Sequence, residues 1–312
     1  MTDATRSAFV ETREYRRFRE FCDACRRYRY IGLCHGPPGV GKTLSARRYA
    51  DWDRVVATNP YADRGDFRSD DIPGNGCVLY TATVVNSPRQ VEDDIARLWG
   101  RMRQLVRQAI RTETGPVIAA AQRRLDEEHE EFFVAHDWFA GKSERLQRAK
   151  AAVSEAILEH AERDRRAGNP TDLLLIDEVD RLKMSGLEQL RAIFDGGGMG
   201  LVLIGMPGLE RRMARYAQLY SRIGFVHEFR PLGTTEVRSL LAGWRPPGVA
   251  LPEDLLADAE GVATIIRVTG GNFRLLERLL TQVARILALN GLGTVTREVV
   301  EAAREVLVIG AT

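Results

Sequence analysis

No stretch constrains this chain more than His35-Gly36-Pro37-Pro38-Gly39-Val40-Gly41-Lys42-Thr43. It fits the pattern G-x-x-x-x-G-K-[ST], with Gly36, Gly41, Lys42 and Thr43 at the specified positions. Glycines let a backbone curl until successive N–H groups point into one concavity, which suits an anion. A helix starting at Lys42 or Thr43 aims the positive end of its dipole at the same place. The spacing therefore predicts a phosphate loop. Gly36, Pro37, Pro38, Gly39, Val40, Gly41, Lys42, Thr43 and Leu44 would cradle a triphosphate. The Lys42 ammonium would reach its outer phosphates, and the Thr43 hydroxyl would ligate Mg²⁺. The flanks agree with this. Tyr30-Ile31-Gly32-Leu33-Cys34 reads as a buried strand, and Leu44 to Ala50 as the following helix.

A phosphate loop needs carboxylates from elsewhere in the chain. Leu173-Leu174-Leu175-Ile176-Asp177-Glu178 is an apolar run that ends in two acids. A buried strand of this kind would bring Asp177 to the metal shell beside Thr43, and Glu178 to an attacking water as general base. Further strands are expected at Cys77–Val85, Gly200–Gly205 and Phe225–Phe229, alternating with helices. That alternation predicts a parallel sheet with helices on both faces.

Asn86-Ser87-Pro88 reads as a helix start, followed by Val91, Ile95, Leu98, Met102 and Leu105 at three- and four-residue steps. From there to Pro170 the pattern is helical, with breaks expected at Gly115-Pro116 and at Ala140–Ser143. The segments Val117–Phe139 and Glu144–Ala167 suggest a long antiparallel hairpin. Gly141-Lys142-Ser143 imitates the end of a phosphate loop, but His136 stands where the first glycine belongs and no strand precedes it. Beyond Pro231-Leu232-Gly233 only helices are expected, at Thr235–Trp244, Pro252–Ala263, Phe273–Asn290 and Thr296–Val308. The boundaries that follow are an N-terminal helical arm at 1–29, a nucleotide domain at 30–231 with a helical insertion at about 107–167, and an all-helical lid at 232–312.

Charge gives little away, because 45 basic residues nearly cancel 43 acidic ones in a chain of 312. No apolar run is long enough to cross a bilayer, and the first residues lack the layout of a signal peptide, so a cytoplasmic protein that avoids membranes is expected. Cys22, Cys25, Cys34 and Cys77 do not form a disulfide framework in a chain this long. Cys22-x-x-Cys25 with Cys34-His35 has the residue types of a zinc site, but it spans a helix-like run and the strand before the loop; reduced thiols fit better. The arm places Phe9, Phe18, Phe21, Cys22 and Cys25 on one face and carries Arg16, Arg17, Arg19, Arg26, Arg27 and Arg29. It reads as a helix packed beside the nucleotide domain, or else as a basic arm on DNA phosphates.

The ordered set resembles the AAA+ ATPases: the loop at Gly36–Thr43, the strand ending Asp177-Glu178, a later strand, Ser221-Arg222 after the next helix, and Gly271-Asn272-Phe273-Arg274 in a helical lid. Within that superfamily, Asp177-Glu178-Val179-Asp180-Arg181-Leu182-Lys183, Gly205-Met206-Pro207-Gly208-Leu209-Glu210 and Tyr220-Ser221-Arg222-Ile223-Gly224-Phe225-Val226 look most like the transposition ATPases of the TniB, TnsC and phage Mu B group. The resemblance implies Mg²⁺-dependent ATP hydrolysis, with Arg222 as a finger donated to a neighbouring subunit and Arg274 as a lid sensor of the γ-phosphate. It also implies a homo-oligomeric ring or filament on double-stranded DNA and a DDE transposase as partner. Lys183 and the face bearing Arg97, Arg101 and Arg103 are candidates to meet the DNA. The sequence departs from the pattern at Gly205-Met206, where a polar sensor usually stands, and in the insertion. An ATP-switched scaffold in a defence or signalling system is the alternative; a small-molecule kinase fits Glu178 and Arg274 less well.

Overall fold

The computed structural model of the chain describes residues 9–61, 76–134, 140–168, 170–243 and 259–307. Five strands form one parallel sheet in the order β2-β3-β4-β1-β5. They are β1 (Ile31–His35), β2 (Cys77–Thr81), β3 (Leu173–Asp177), β4 (Gly200–Gly205) and β5 (Ile223–Glu228). Parallel neighbours need crossover connections, which the intervening helices supply. The chain divides into two compact units. One comprises residues 1–46, 177–180 and 201–312; the other comprises 47–176 and 181–200.

In the first unit, α1 (Arg13–Tyr28) is capped by Thr12, whose side chain accepts from the Tyr15 N–H at 3.1 Å. Its apolar face buries Phe18, Cys22 and Cys25 completely. That face packs on β1 and β5, and a Cβ at Gly32 would come within 2.4 Å of Cys25 Sγ. The arm is thus a packed helix, and two of its arginines are paired: Arg17 with Glu14 at 3.0 Å and Arg19 with Glu11 at 3.7 Å. In β1, Ile31 pairs with Leu201 and His35 with Gly205; on the other side Gly32 pairs with Phe225 and His35 with Glu228. The register to β5 shifts between Ile31 and Gly32.

The lid closes the same unit with α9 (Thr234–Gly243), α10 (Ala259–Thr269), α11 (Phe273–Asn290) and α12 (Arg297–Glu305). Leu279, Val283 and Leu287 recur at four-residue steps along α11 and are fully buried with Leu241, Ile265 and Val300. Helix α11 occupies the span its periodicity predicts. Helix α10 runs on to Thr269, past the expected end at Ala263, because Ile265 belongs to the lid core. The expected start of that helix at Pro252 lies outside the described residues.

In the second unit, α3 (Trp52–Ala57) precedes β2, and α4 (Pro88–Val134) starts where expected, with Ser87 Oγ accepting from the Gln90 N–H at 3.2 Å. Strand β2 ends at Thr81, earlier than its β-prone run. Val84 and Val85 beyond it are 79% and 83% exposed, in a turn that Asn86 closes by donating to the Thr83 carbonyl at 2.7 Å. A second difference is larger. Helix α4 passes through Gly115-Pro116, where a break was expected, and its part beyond about residue 107 packs on α5 (Ala140–Ala167). A proline costs a helix one hydrogen bond and a ring clash, but tertiary packing holds this one. Thr114 Oγ1 donates to the Ile110 carbonyl at 2.7 Å and meets His160 Nδ1 at 2.7 Å, while Arg107 pairs with Asp164 at 3.2 Å. Those pairings make the hairpin antiparallel. Helix α6 (Met184–Gly197) completes the unit.

One buried group gives the first unit a pH dependence. His227 in β5 is 5% exposed among Phe18, Phe21 and Phe229, with Glu14 Oε2 4.0 Å from its Nε2. Burial pushes its pKa down to about 4. The Glu14 carboxylate opposes that shift, while Arg17, His35 and Arg230 add to it. The folded value lies below the unfolded value of 6.5, so the unfolded chain binds more protons between the two. Stability is therefore complete above about pH 6.5 and falls as the pH drops toward 4, by roughly 3 kcal/mol at most. His227→Gln should flatten the melting temperature across that window relative to the parent chain.

Candidate nucleotide site

The phosphate loop leaves β1 between two fixed points. The Phe229 N–H after β5 donates to the His35 carbonyl at 2.7 Å, and a Cβ on Gly36 would lie 2.2 Å from the Phe229 carbonyl oxygen. Only glycine fits there. Gly39 and Gly41 have φ of +81° and +105°, the left-handed region that side chains disfavour. Helix α2 (Lys42–Tyr49) begins directly at the motif lysine, so its unpaired N–H groups face the loop's concavity.

Lys42 is half-buried, and its ammonium donates to the carbonyls of Gly36 at 2.6 Å and Pro37 at 2.8 Å. Burial lowers its pKa. The Asp177, Asp180 and Glu178 carboxylates push it back up, in that order of weight. The lysine and the distant acids thus share one locality. Asp177 ends β3 at 3% exposure; its Oδ1 accepts from the Glu178 N–H at 2.9 Å, and its Oδ2 is buried without a hydrogen-bond partner. An orphaned buried carboxylate oxygen is costly unless a ligand completes it. Together with the exposed Thr43 hydroxyl on the first turn of α2, this donor set fits a hard cation that also takes oxygens from phosphate and water. Glu178 follows with φ +55°, a left-handed backbone that is rare for a residue with a Cβ.

The lid reaches the loop as well. Asn272 caps α11 by accepting from the Leu275 N–H at 3.2 Å, and its side-chain amide donates to the Pro38 carbonyl at 2.8 Å. The Arg274 N–H donates to the Gly39 carbonyl at 2.9 Å. The structure therefore brings together Gly36, Gly39, Lys42, Asp177, Glu178 and Arg274. It does not bring Arg222 to them. The Arg222 carbonyl accepts from the Ile31 N–H at 3.2 Å, at the end of β1 opposite the loop, about 16 Å away along a five-residue strand.

Other expected residues are placed less simply. Arg101 spends its guanidinium on the carbonyls of Val55, Val56 and Thr58, and Arg97 pairs with Asp94. Lys183 is exposed just before α6. The four cysteines are buried free thiols, and burial pushes Cys25 up to about 12. Among the described residues, no three His, Cys, Asp or Glu side chains cluster as a metal site of their own. Two contacts at the site escape a sequence reading. His35 Nε2 meets Glu210 Oε1 at 2.8 Å, and Asp180 Oδ2 accepts from the Met206 N–H at 2.6 Å. The pattern Asp177-Glu178-x-Asp180 was visible, but nothing in it told which N–H Asp180 would bind.

A sequence profile described as an AAA domain matches residues 25–213, a span that includes the phosphate loop and both acids. The chain belongs to the AAA family of P-loop ATPases. Relatives differ in how far they extend the likeness. A Staphylococcus aureus protein called "Potential ATP-binding protein" is 38% identical over 306 residues, covering 97% of both chains. The Mu-like prophage FluMu DNA transposition protein B of Haemophilus influenzae is 31% identical over 111 residues, 33% of this chain and 36% of that one. Among solved structures, Cdc6p from Pyrobaculum aerophilum superposes with a TM-score of 0.51 at 13% identity, covering 98% of this chain and 71% of that one. That likeness concerns the fold. The AAA profile stops before Arg222 and the lid, so neither arginine draws support from it.

The lid contact has a measurable consequence. Asn272→Ala removes a helix cap and the bond to the Pro38 carbonyl, and should cost about 1 kcal/mol in urea unfolding. It should also raise the ATP concentration needed for half-saturation.

Proposed function

We propose that this AAA protein binds and hydrolyses ATP with Mg²⁺, oligomerises on double-stranded DNA and regulates transposition by marking a target and stimulating a transposase. The observation that carries the chemistry is the electrostatic grouping of Lys42 with Asp177 and Glu178, beside an unpartnered buried Asp177 oxygen. On this reading Lys42 exchanges its two carbonyl partners for phosphate oxygens, and the N–H groups of the loop and α2 hold the rest of the anion. Thr43 and Asp177 would hold Mg²⁺, which would supply charge neutralisation to the phosphates. Glu178 takes the proton of the attacking water. Arg274, carried to the loop by α11, answers to the γ-phosphate.

Arg222 lies too far from its own loop to serve it, so a neighbouring copy receives it. Hydrolysis then depends on assembly. The transposition part of the proposal draws on the Haemophilus influenzae relative and on the three segments that carry the group resemblance. DNA binding through phosphates alone suits a chain with no base-reading motif.

Glu178→Gln should retain ATP binding and ATP-dependent assembly while slowing hydrolysis by about 10²- to 10⁴-fold in a phosphate-release assay. Normal turnover by that variant would remove Glu178 from its role. Arg222→Ala and Glu178→Gln proteins, each inactive alone, should recover ATPase activity when mixed, because one supplies an intact loop and the other an intact finger. Plasmid retention on filters should require ATP and weaken steeply with salt. Its absence at low salt would favour an ATP-switched scaffold for another partner.

A further inference from the structure

We propose that Asp180 and Arg212 are positioning residues, which hold Glu178 in its left-handed backbone and so aim its carboxylate. The inference rests on the assignment of Glu178 as base and adds residues that this assignment does not name.

A residue with a Cβ at φ +55° needs its surroundings to hold it there. On its N-terminal side, Glu178 donates its N–H to Asp177 Oδ1 at 2.9 Å, and Asp177 is fixed by the buried strand. On its C-terminal side the chain makes a single 3-10 turn at Val179–Arg181, with Val179 fully buried. Such a turn leaves carbonyls in need of donors. Arg212 Nη1 supplies one, lying 3.1 Å from the Asp180 carbonyl and 3.4 Å from that of Val179. The Asp180 carboxylate then reaches across to the end of β4, where its Oδ2 accepts from the Met206 N–H at 2.6 Å.

Gly205 completes the arrangement by having no side chain. A Cβ there would lie 2.5 Å from Asp180 Oδ2 and 3.0 Å from Val179 Cγ1. The absence of a side chain at Gly205 is therefore required by Asp180. Arg212 is itself anchored, because Leu209 and Met213 of its short helix α7 (Leu209–Met213) are buried. The same helix carries Glu210, which meets His35 next to the phosphate loop. One helix thus touches both halves of the site: the turn after the carboxylates and the approach to the loop.

Small errors in the placement of a reacting group are costly, reaching about 10²-fold in rate for a displacement near 1 Å. Asp180→Ala should lower kcat by about 10- to 100-fold while leaving KM for ATP and the binding of a fluorescent ATP analogue within about twofold. Asp180→Asn keeps an oxygen that can accept from Met206, and should restore most of the rate. Gly205→Ala should reproduce the Asp180→Ala defect by displacing the carboxylate, and Arg212→Ala should show the same split between kcat and KM. In the Glu178→Gln background, Asp180→Ala should slow residual single-turnover hydrolysis no further, since the group it aims is already disabled.

A full additional loss in that background would overturn the proposal. So would an Asp180→Asn protein as slow as Asp180→Ala, or a defect that appears in KM with a matching fall in melting temperature. Normal hydrolysis by Glu178→Gln would instead refute the underlying base assignment. An inactive Glu178→Gln protein beside a fully active Asp180→Ala protein would refute only the positioning role.

Discussion

A half-buried ammonium surrounded by negative charge is the interaction on which this structure turns. Lys42 has given up much of its hydration, and two loop carbonyls replace part of it. Carbonyl dipoles alone are weak compensation for a desolvated cation. The acids at the end of β3 supply the rest, which is why a strand more than a hundred residues downstream must end beside the loop. Reading the sheet as the means of meeting that electrostatic demand explains its most conspicuous sequence features. Strand β3 is fully buried through Asp177, so the carboxylate arrives at a fixed depth. The loop glycine at 36 lets the chain after β5 approach closely, with the Phe229 carbonyl where a side chain would otherwise stand.

Much of this was legible in the residues, and what was not has specific physical causes. The phosphate loop could be read because its positive-φ positions require glycine, and the glycines at 39 and 41 adopt such angles. Helix α11 could be read because its buried leucines and valine keep a helical period between Asn272 and Gly291, which cap it in the structure. The continuity of α4 through Pro116 could not, because it rests on a partner helix: Thr114 meets His160 and Arg107 meets Asp164 far along the chain. Local propensity speaks only for local bonds. The contact between Asn272 and Pro38 spans 234 positions, and that between Met206 and Asp180 spans 26. Neither leaves a periodic trace, although in both cases a glycine with no room for a side chain, Gly39 or Gly205, marks the place.

The lid gains a mechanical meaning from the same contacts. Asn272 serves two masters with one side chain, its oxygen capping α11 and its amide holding the Pro38 carbonyl. Any shift of the loop on taking up a triphosphate is therefore felt first at the N-terminus of α11. That helix is the spine of the lid core, so the response is not confined to one turn. A rigid amphipathic helix carries a displacement at one end to the whole packed body. Gly271 ties the other side of this joint, its carbonyl accepting from Leu232 at 2.9 Å in a place too tight for any Cβ.

Arg222 gives the last step. It opens β5 at the edge of the sheet opposite the phosphate loop, with its backbone fixed to Ile31 and its guanidinium engaging the Gln218 carbonyl of its own helix end. The length of β1 separates the two ends of the sheet, and no side chain spans that distance. If Arg222 acts on a nucleotide, geometry leaves only the nucleotide of another copy. On the proposed function the isolated chain lacks the one cation that a neighbour would donate, and association would be the event that supplies it. Such a division suits an ATPase whose turnover is to be tied to assembly, because a lone subunit can hold the triphosphate without spending it.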